Sequence, residues 1–395
     1  MSMAMAKRTL LSIVQDVDNL PQYALPPEPG PRDYVPFHMT LGDHQNAVEP
    51  IGLLRQDVVQ AMMGFNDEHV ESTGHFLFHH IDLEPQEEIN QSVQPTDVLR
   101  GERGKCVYFS DWIMAQGIEG ISAIMGEMIR RWYDQGEDGR FYSRLKSWRD
   151  ELYNVYCSPR SSFFTDSTIS WHPPVNSNDV SNEDRHDDRK MATNVAFQLE
   201  RAACPIFGVA TFGVHMTAYE GQGDATRIWV PRRSKDKKTF PNMLDSTVGG
   251  GITAGLTPYQ TILKECKEEA SLPEDLLNSR LRACGATSFF TLTKDGFLRP
   301  EVEYVYDLPL PSSGSKEYVR PMINDDEVES FNLMSVPELV ENLLDGQVKP
   351  NSALIYVDFL IRHGFVTAEN EPRLPEIQSH TRRVLGVAMP TPVAY

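Results

Sequence analysis

The sequence is short of cysteine, of positive charge and of long apolar runs. Its five cysteines, Cys106, Cys157, Cys204, Cys266 and Cys284, are scattered and odd in number, with no CxxC pair or other metal-ligand spacing. A disulfide framework and a zinc site are therefore not expected, and reduced thiols fit a cytoplasmic, cytosol-like compartment. Lys and Arg number 37 against 56 Asp and Glu, a formal net charge of −19. That imbalance speaks against nucleic acid or an anionic membrane as partner, and an anionic substrate then needs a local basic patch or a bound metal. No apolar run approaches the length of a membrane span. The opening MSMAMAKRTLLSIV is too short and poorly flanked for a signal peptide, and a short organelle-targeting helix stays open there. Internal repeats are also lacking.

What remains is an ordinary globular composition, 40% hydrophobic and 24% charged, over 395 residues, enough for two domains with full cores. The clearest seam is Trp171–Lys190, WHPPVNSNDVSNEDRHDDRK, which has adjacent prolines, many acids and almost nothing to bury. His172 and His186 lie among its carboxylates but share no regular face, so a solvated loop is expected rather than a metal site. The expected division is an α+β domain over 1–170, an acidic linker or inserted loop over 171–192, a second domain over 193–368 and a tail over 369–395. In the first part, Ile121, Ile124, Met125, Met128, Ile129 and Trp132 recur at helical spacing and predict an amphipathic helix ending near Gly136. Glu49–Leu54 and His75–Leu83 read as short strands or turns.

The chemistry concentrates in Gly249–Leu272, GGGITAGLTPYQTILKECKEEASL. Thr257 suits an N-cap and Pro258 the first helical position, and Pro273 discourages continuation. On that helix Glu265, Glu268 and Glu269, at i, i+3 and i+4, share one face, a local charge that calls for something positive over it. Oxygen ligands of this kind suit Mg²⁺ or Mn²⁺. Upstream, Gly249, Gly250 and Gly251 let backbone N–H groups approach an anion closely. The bland alternative is a solvated acidic face in which Lys264 and Glu268 form an i,i+4 pair.

Strand-like runs flank this helix at Ile206–Tyr219, Thr226–Val230, Thr287–Leu292 and Val302–Leu308. Ser335 with Glu338 predicts a capping box for a helix to Leu344, and Asn351–His363 a last helix with Ala353, Leu354, Val357, Leu360 and Ile361 on its buried side. Arg232 and Arg233 follow a strand-like run, either as a phosphate clamp or as a solvated basic edge with Lys235, Lys237 and Lys238. Glu327 or Glu329, on the loop before the Ser335 helix, is a further candidate base or distal ligand.

Residues 250–272 resemble the Nudix box, G-x5-E-x7-R-E-U-x-E-E-x-G-U, with U an apolar residue. Gly250, Glu265, Cys266, Glu268, Glu269 and Leu272 fall on its positions, while Leu256 replaces the early Glu, Lys264 the Arg and Ser271 the late Gly. The resemblance implies a Nudix αβα sandwich with a mixed sheet, a mixed α/β (α+β) class, behind a smaller α+β N-terminal domain. It implies metal binding by Glu265, Glu268, Glu269 and the Gly250 backbone, with Mg²⁺ or Mn²⁺ as cofactor. Substrate contacts would fall to Arg232, Arg233, Lys264 and the three glycines. Segments such as WVPRRSKDKKTFPNMLD at Trp229–Asp245 and KPNSALIYVDFLIRHG at Lys349–Gly364 resemble the fungal and plant branch. That branch joins a Nudix domain to a region related to thiamine pyrophosphokinase, echoed here by IRRWYDQG at Ile129–Gly136 and LKSWRDELYNVY at Leu145–Tyr156.

The branch implies hydrolysis of thiamine diphosphate, or its oxidised analogues, to the monophosphate and phosphate. Two alternatives remain. One is a prenyl diphosphate substrate in specialised metabolism, with Phe289, Phe290 and Met322 lining an apolar pocket. The other is a Nudix-fold protein that binds without cleaving. A small-molecule diphosphate is the expected partner, with no nucleic acid or membrane, and a homodimer is compatible with the sequence.

Overall fold

Twelve strands form among the residues that the computed structural model describes, 8–21, 34–82, 104–165, 194–324 and 326–391. The acidic segment with His172 and His186 lies outside the described residues. The strands are β1 (Val35–His38), β2 (Gly52–Leu54), β3 (Phe78–Asp82), β4 (Lys105–Phe109), β5 (Leu152–Tyr156) and β6 (Val195–Glu200), then β7 (Thr211–Glu220), β8 (Arg227–Arg233), β9 (Val248–Gly251), β10 (Arg282–Leu292), β11 (Leu298–Pro309) and β12 (Val328–Ser335).

In the first half, a four-stranded sheet in the order β2-β1-β4-β3 and the antiparallel pair β5-β6 share one core. The periodic stripe forms a helix, Gly117–Asp134, that buries Ile121, Met125, Met128, Ile129 and Trp132. This core runs through residues up to Val209 and also takes in Phe297 from the second half. It therefore includes β6, which the sequence expectation grouped with the second domain. The expected strand from Ile206 starts later. Cys204–Phe207 is a helical turn opened by Pro205 and closed by Gly208 at φ 57°, and β7 begins only at Thr211.

The second half is a mixed sheet in the order β10-β11-β7-β8-β12, with β9 added on β7. The β11-β7 pair is parallel and the others are antiparallel. β7 changes partner along its length. Tyr219 and Glu220 pair with β8, whereas Gly213–Met216 pair with Gly251–Val248 of β9. The fork places three consecutive glycines beside the middle of the sheet.

Helices cover both faces, as an αβα sandwich requires. Pro258–Ala270 buries Ile262 and Cys266 against Val214, Met216 and Leu308. On the opposite face Val336–Leu344, Pro350–Arg362 and the N-terminal helix Leu10–Val17 pack together over Ile228, Val230, Phe289 and Val305. Inside the expected tail, Leu374–Thr381 is a helix with Ile377 buried. No helix among the described residues is long and apolar enough to cross a membrane.

Candidate functional site

The acidic helix starts where its caps dictate. Gln260 N–H donates to Thr257 Oγ1 at 3.2 Å, and Thr257 N–H donates back to Gln260 Oε1 at 3.0 Å. It ends at Ser271, whose φ of 50° is the left-handed cap for which glycine is the easy residue. With Ile262, Cys266 and Ala270 buried, Glu265 and Glu269 are turned toward β9 one helical turn apart.

Both carboxylates press on the glycine strand. Gly249 N–H donates to Glu269 Oε2 at 3.2 Å. A Cβ on Gly250 would stand 2.5 Å from Glu265 Cδ, so glycine is what allows the approach. Burial pushes the Glu269 carboxyl well above the usual carboxylate range, and the charges of Glu265, Asp245 and Glu327 add to the rise. Glu265 is raised for the same first reason, burial, with Glu268 and Glu327 adding to it and Lys264 opposing it. Glu268 stands apart. Its side chain is 52% exposed and lies 3.2 Å from Lys264 Nζ, which is also 3.5 Å from Glu265. In consequence, no three His, Cys, Asp or Glu side chains among the described residues are gathered closely enough to hold a metal.

The donor set nevertheless fits a hard divalent cation. Two largely buried carboxylates repel one another beside three glycines, and among the described residues the cation paired with Glu265 is Lys264 at the rim. Oxygen donors with unbalanced charge are the ligands Mg²⁺ and Mn²⁺ prefer. Behind them, Asp245 anchors the site. Burial works to raise its carboxyl, but Lys349 and Arg233, with a Ser352 hydrogen bond, hold it well below the usual range.

Residues 210–356 match the NUDIX domain. The chain is 41% identical over 199 residues to an uncharacterized protein of Saccharomyces cerevisiae, covering 47% of this chain and 57% of that one. It is 38% identical over 177 residues to "Nudix hydrolase 20, chloroplastic" of Arabidopsis thaliana, covering 45% and 46%. With "Nudix hydrolase 24, chloroplastic", also of Arabidopsis thaliana, it shares 34% over 175 residues, covering 44% and 46%. The chain thus spans about half the length of the curated relatives it matches.

The remaining expected site residues are disposed differently from the acidic helix. Arg233 is 14% exposed and committed to the loop that follows it. Its Nη1 pairs with Asp245 Oδ2 at 2.6 Å, and its other donors reach the carbonyls of Phe240 and Thr239. Arg232 donates to the Asn242 carbonyl at 2.7 Å. Both guanidiniums hold residues 234–245 in place, a job that neither the phosphate-clamp reading nor the solvated-edge reading foresaw. Glu327 pairs with Lys237, and its charge adds slightly to the rise of the Glu265 and Glu269 carboxyls. Glu329, expected on a loop, lies in β12 and pairs at the surface with Lys235 at 3.0 Å. Phe289 and Phe290 are completely buried in the core, and Met322 is 53% exposed. These three residues form no apolar pocket.

Sequence reading missed Asp245, His215, Ser246, Glu303 and Tyr153. His215 Nδ1 and Ser246 Oγ lie 2.5 Å apart, and a Cβ on Gly249 would stand 2.7 Å from that nitrogen. The signal for Glu303 was present. Glu301, Glu303 and Asp307 alternate with β-formers in EVEYVYD, acids on what proves to be a buried strand face.

Proposed function

We propose that the chain is a divalent-metal-dependent Nudix-type hydrolase that cleaves an organic diphosphate to the monophosphate and phosphate. Thiamine diphosphate or its oxidised analogues are the substrate class we favour. The observation that carries the activity is the pair Glu265 and Glu269, buried against Gly249 and Gly250 with their charge unbalanced. The names of the two Arabidopsis relatives support the same reaction class. The substrate class rests on the fungal and plant pattern of the sequence.

Glu265, Glu269 and the Gly250 backbone would hold Mg²⁺ or Mn²⁺, with Glu268 joining once released from Lys264. Such an ion neutralises phosphate oxygens and lowers the pKa of bound water. The protein's own groups prepare the site. Gly249 N–H fixes the Glu269 oxygen, Lys264 at the rim would meet an incoming phosphate, and Glu327, once released from Lys237, would accept a proton.

The test is phosphate release with Mg²⁺ from thiamine, oxidised thiamine, prenyl and nucleoside diphosphates. The Glu269→Gln protein, which keeps the shape and loses the charge, runs beside the wild type. Turnover confined to thiamine-like compounds and lowered by roughly 10²–10⁴ in the variant is expected. Wild-type-like turnover in the variant would overturn the assignment.

A further inference from the structure

A second acidic group lies on the other face of the glycine strand. Four residues stand in register across four strands: Thr287 on β10, Glu303 on β11, Gly213 on β7 and Gly251 on β9. Glu303 is 7% exposed, and its Oε2 has no hydrogen-bond partner. The Thr287 hydroxyl beside it is fully buried and also lacks a partner. His215 Nε2, at 3.7 Å from Glu303 Oε2, is too far for a hydrogen bond. Natural proteins rarely leave a buried carboxylate oxygen unpaired, because its desolvation goes uncompensated.

The glycines are what let the buried groups close on these strands. A Cβ on Gly213 would overlap Glu303 Oε2 and approach the Gly250 carbonyl to 3.1 Å. A Cβ on Gly251 would overlap the hydroxyl of Tyr153, which arrives from β5 in the first half of the chain. Gly213 and Gly251 are cross-strand partners, so the Glu303 oxygen and the Tyr153 hydroxyl lie over neighbouring positions of the sheet. Gly250 faces Glu265 on one side, while Gly249 and Gly251 face His215 and Tyr153 on the other. The glycine strand therefore joins the metal-type carboxylates to an enclosed carboxylate whose Oε2 has no hydrogen-bond partner and only the His215 ring within ion-pair distance.

We propose that Glu303, with Thr287 and the Tyr153 hydroxyl, is the subsite for the organic half of the substrate, and that this half carries a cationic or N–H-donating nitrogen group. The inference rests on the diphosphate-hydrolase reading for where the phosphates lie. A cation or N–H donor gives the Glu303 oxygen its missing partner, whereas an all-hydrocarbon tail would bury that charge further without one. The first half of the chain, through Tyr153, thereby takes part in substrate choice.

The test is calorimetric binding of two monophosphates that contain no anhydride bond, thiamine monophosphate and geranyl monophosphate. Wild type, Glu303→Gln and Tyr153→Phe are compared, and melting curves are recorded for each. Glu303→Gln is expected to weaken thiamine monophosphate by about ten- to a hundredfold, the weight of a charge-assisted hydrogen bond. Geranyl monophosphate should be unchanged and the melting temperature not lowered. Tyr153→Phe should show a smaller loss with the same selectivity, and it decides the matter if Glu303→Gln does not fold. Equal effects on both ligands, or none on either in folded variants, would overturn the subsite and leave the oxygen to a buried water. Selective loss without any phosphate release by the wild type would sink the hydrolase reading alone, and phosphate release with unselective variants would sink the subsite alone.

Discussion

Glu269 has the site's sharpest trade between stability and chemistry, and pH exposes it. Its carboxyl is raised in the folded chain, first by burial and then by Glu265 and Asp245. In a metal-free protein the native state therefore holds a proton that the unfolded chain releases near the ordinary glutamate value of about 4.3. Its stabilising protonated form is fully present below that value, and the benefit is lost as pH rises through the elevated folded value. Glu269→Gln removes this liability. The variant is expected to melt above the metal-free wild type at pH 8, by on the order of 1 kcal/mol, with the difference vanishing near pH 4. Saturating Mg²⁺ should reverse the order at pH 8, since a ligand at a hundred times its Kd adds about 2.7 kcal/mol to the wild type. Melting curves at both pH values, with and without Mg²⁺, check this. A Mg²⁺ response equal in both proteins would mean that the ion binds elsewhere.

At the scale of the element, the acidic helix is held by its ends. The family's early Glu is Leu256 here, and the reciprocal bonds between Thr257 and Gln260 fix the N-terminus instead. The C-terminus is less well served. Ser271 occupies the left-handed region at φ 50°, where the family pattern has glycine. A side chain there costs about 1–2 kcal/mol, and glycine's greater freedom when unfolded takes back roughly half of that. Ser271→Gly should therefore stabilise by about 0.5–1 kcal/mol, read as a higher urea midpoint with unchanged slope. A lower midpoint would mean that the serine hydroxyl makes a bond worth more than the strain. Both ends of this helix were legible in the sequence because caps act over three or four residues. The helical turn at Cys204–Phe207 was not, since Ile206 and Phe207 suit a strand as well as a helix and Gly208 decided the matter.

Across the whole molecule, legibility fell with separation along the chain. The periodic stripe at Gly117–Asp134 and the closing helix at Pro350–Arg362 follow from local spacing. Glu303 shows locally as an acid among β-formers, but its neighbours Thr287, Gly213 and Gly251 needed the register of β10, β11, β7 and β9, which no local pattern contains. The chain ends show the same limit. Leu10–Val17 packs in the core of the second half, although it belongs by sequence to the first. Just after it, Asp18 is 4% exposed and accepts from Phe290 N–H at 2.9 Å, from Arg383 Nη1 at 2.9 Å and lies 2.7 Å from His380 Nδ1. One carboxylate near the start thus ties the central sheet to the C-terminal segment. Arg383 is itself 8% exposed, so removing Asp18 leaves a buried guanidinium without its counter-charge. Asp18→Ala is expected to cost about 3–5 kcal/mol, the usual penalty for breaking a buried pair from one side. Asp18→Ala with Arg383→Met should recover much of it, because the second change removes the stranded charge. Urea unfolding of both variants checks the coupling. Additive losses would show that the two ends are fastened independently, by the apolar contacts of Leu10–Val17 rather than by this pair.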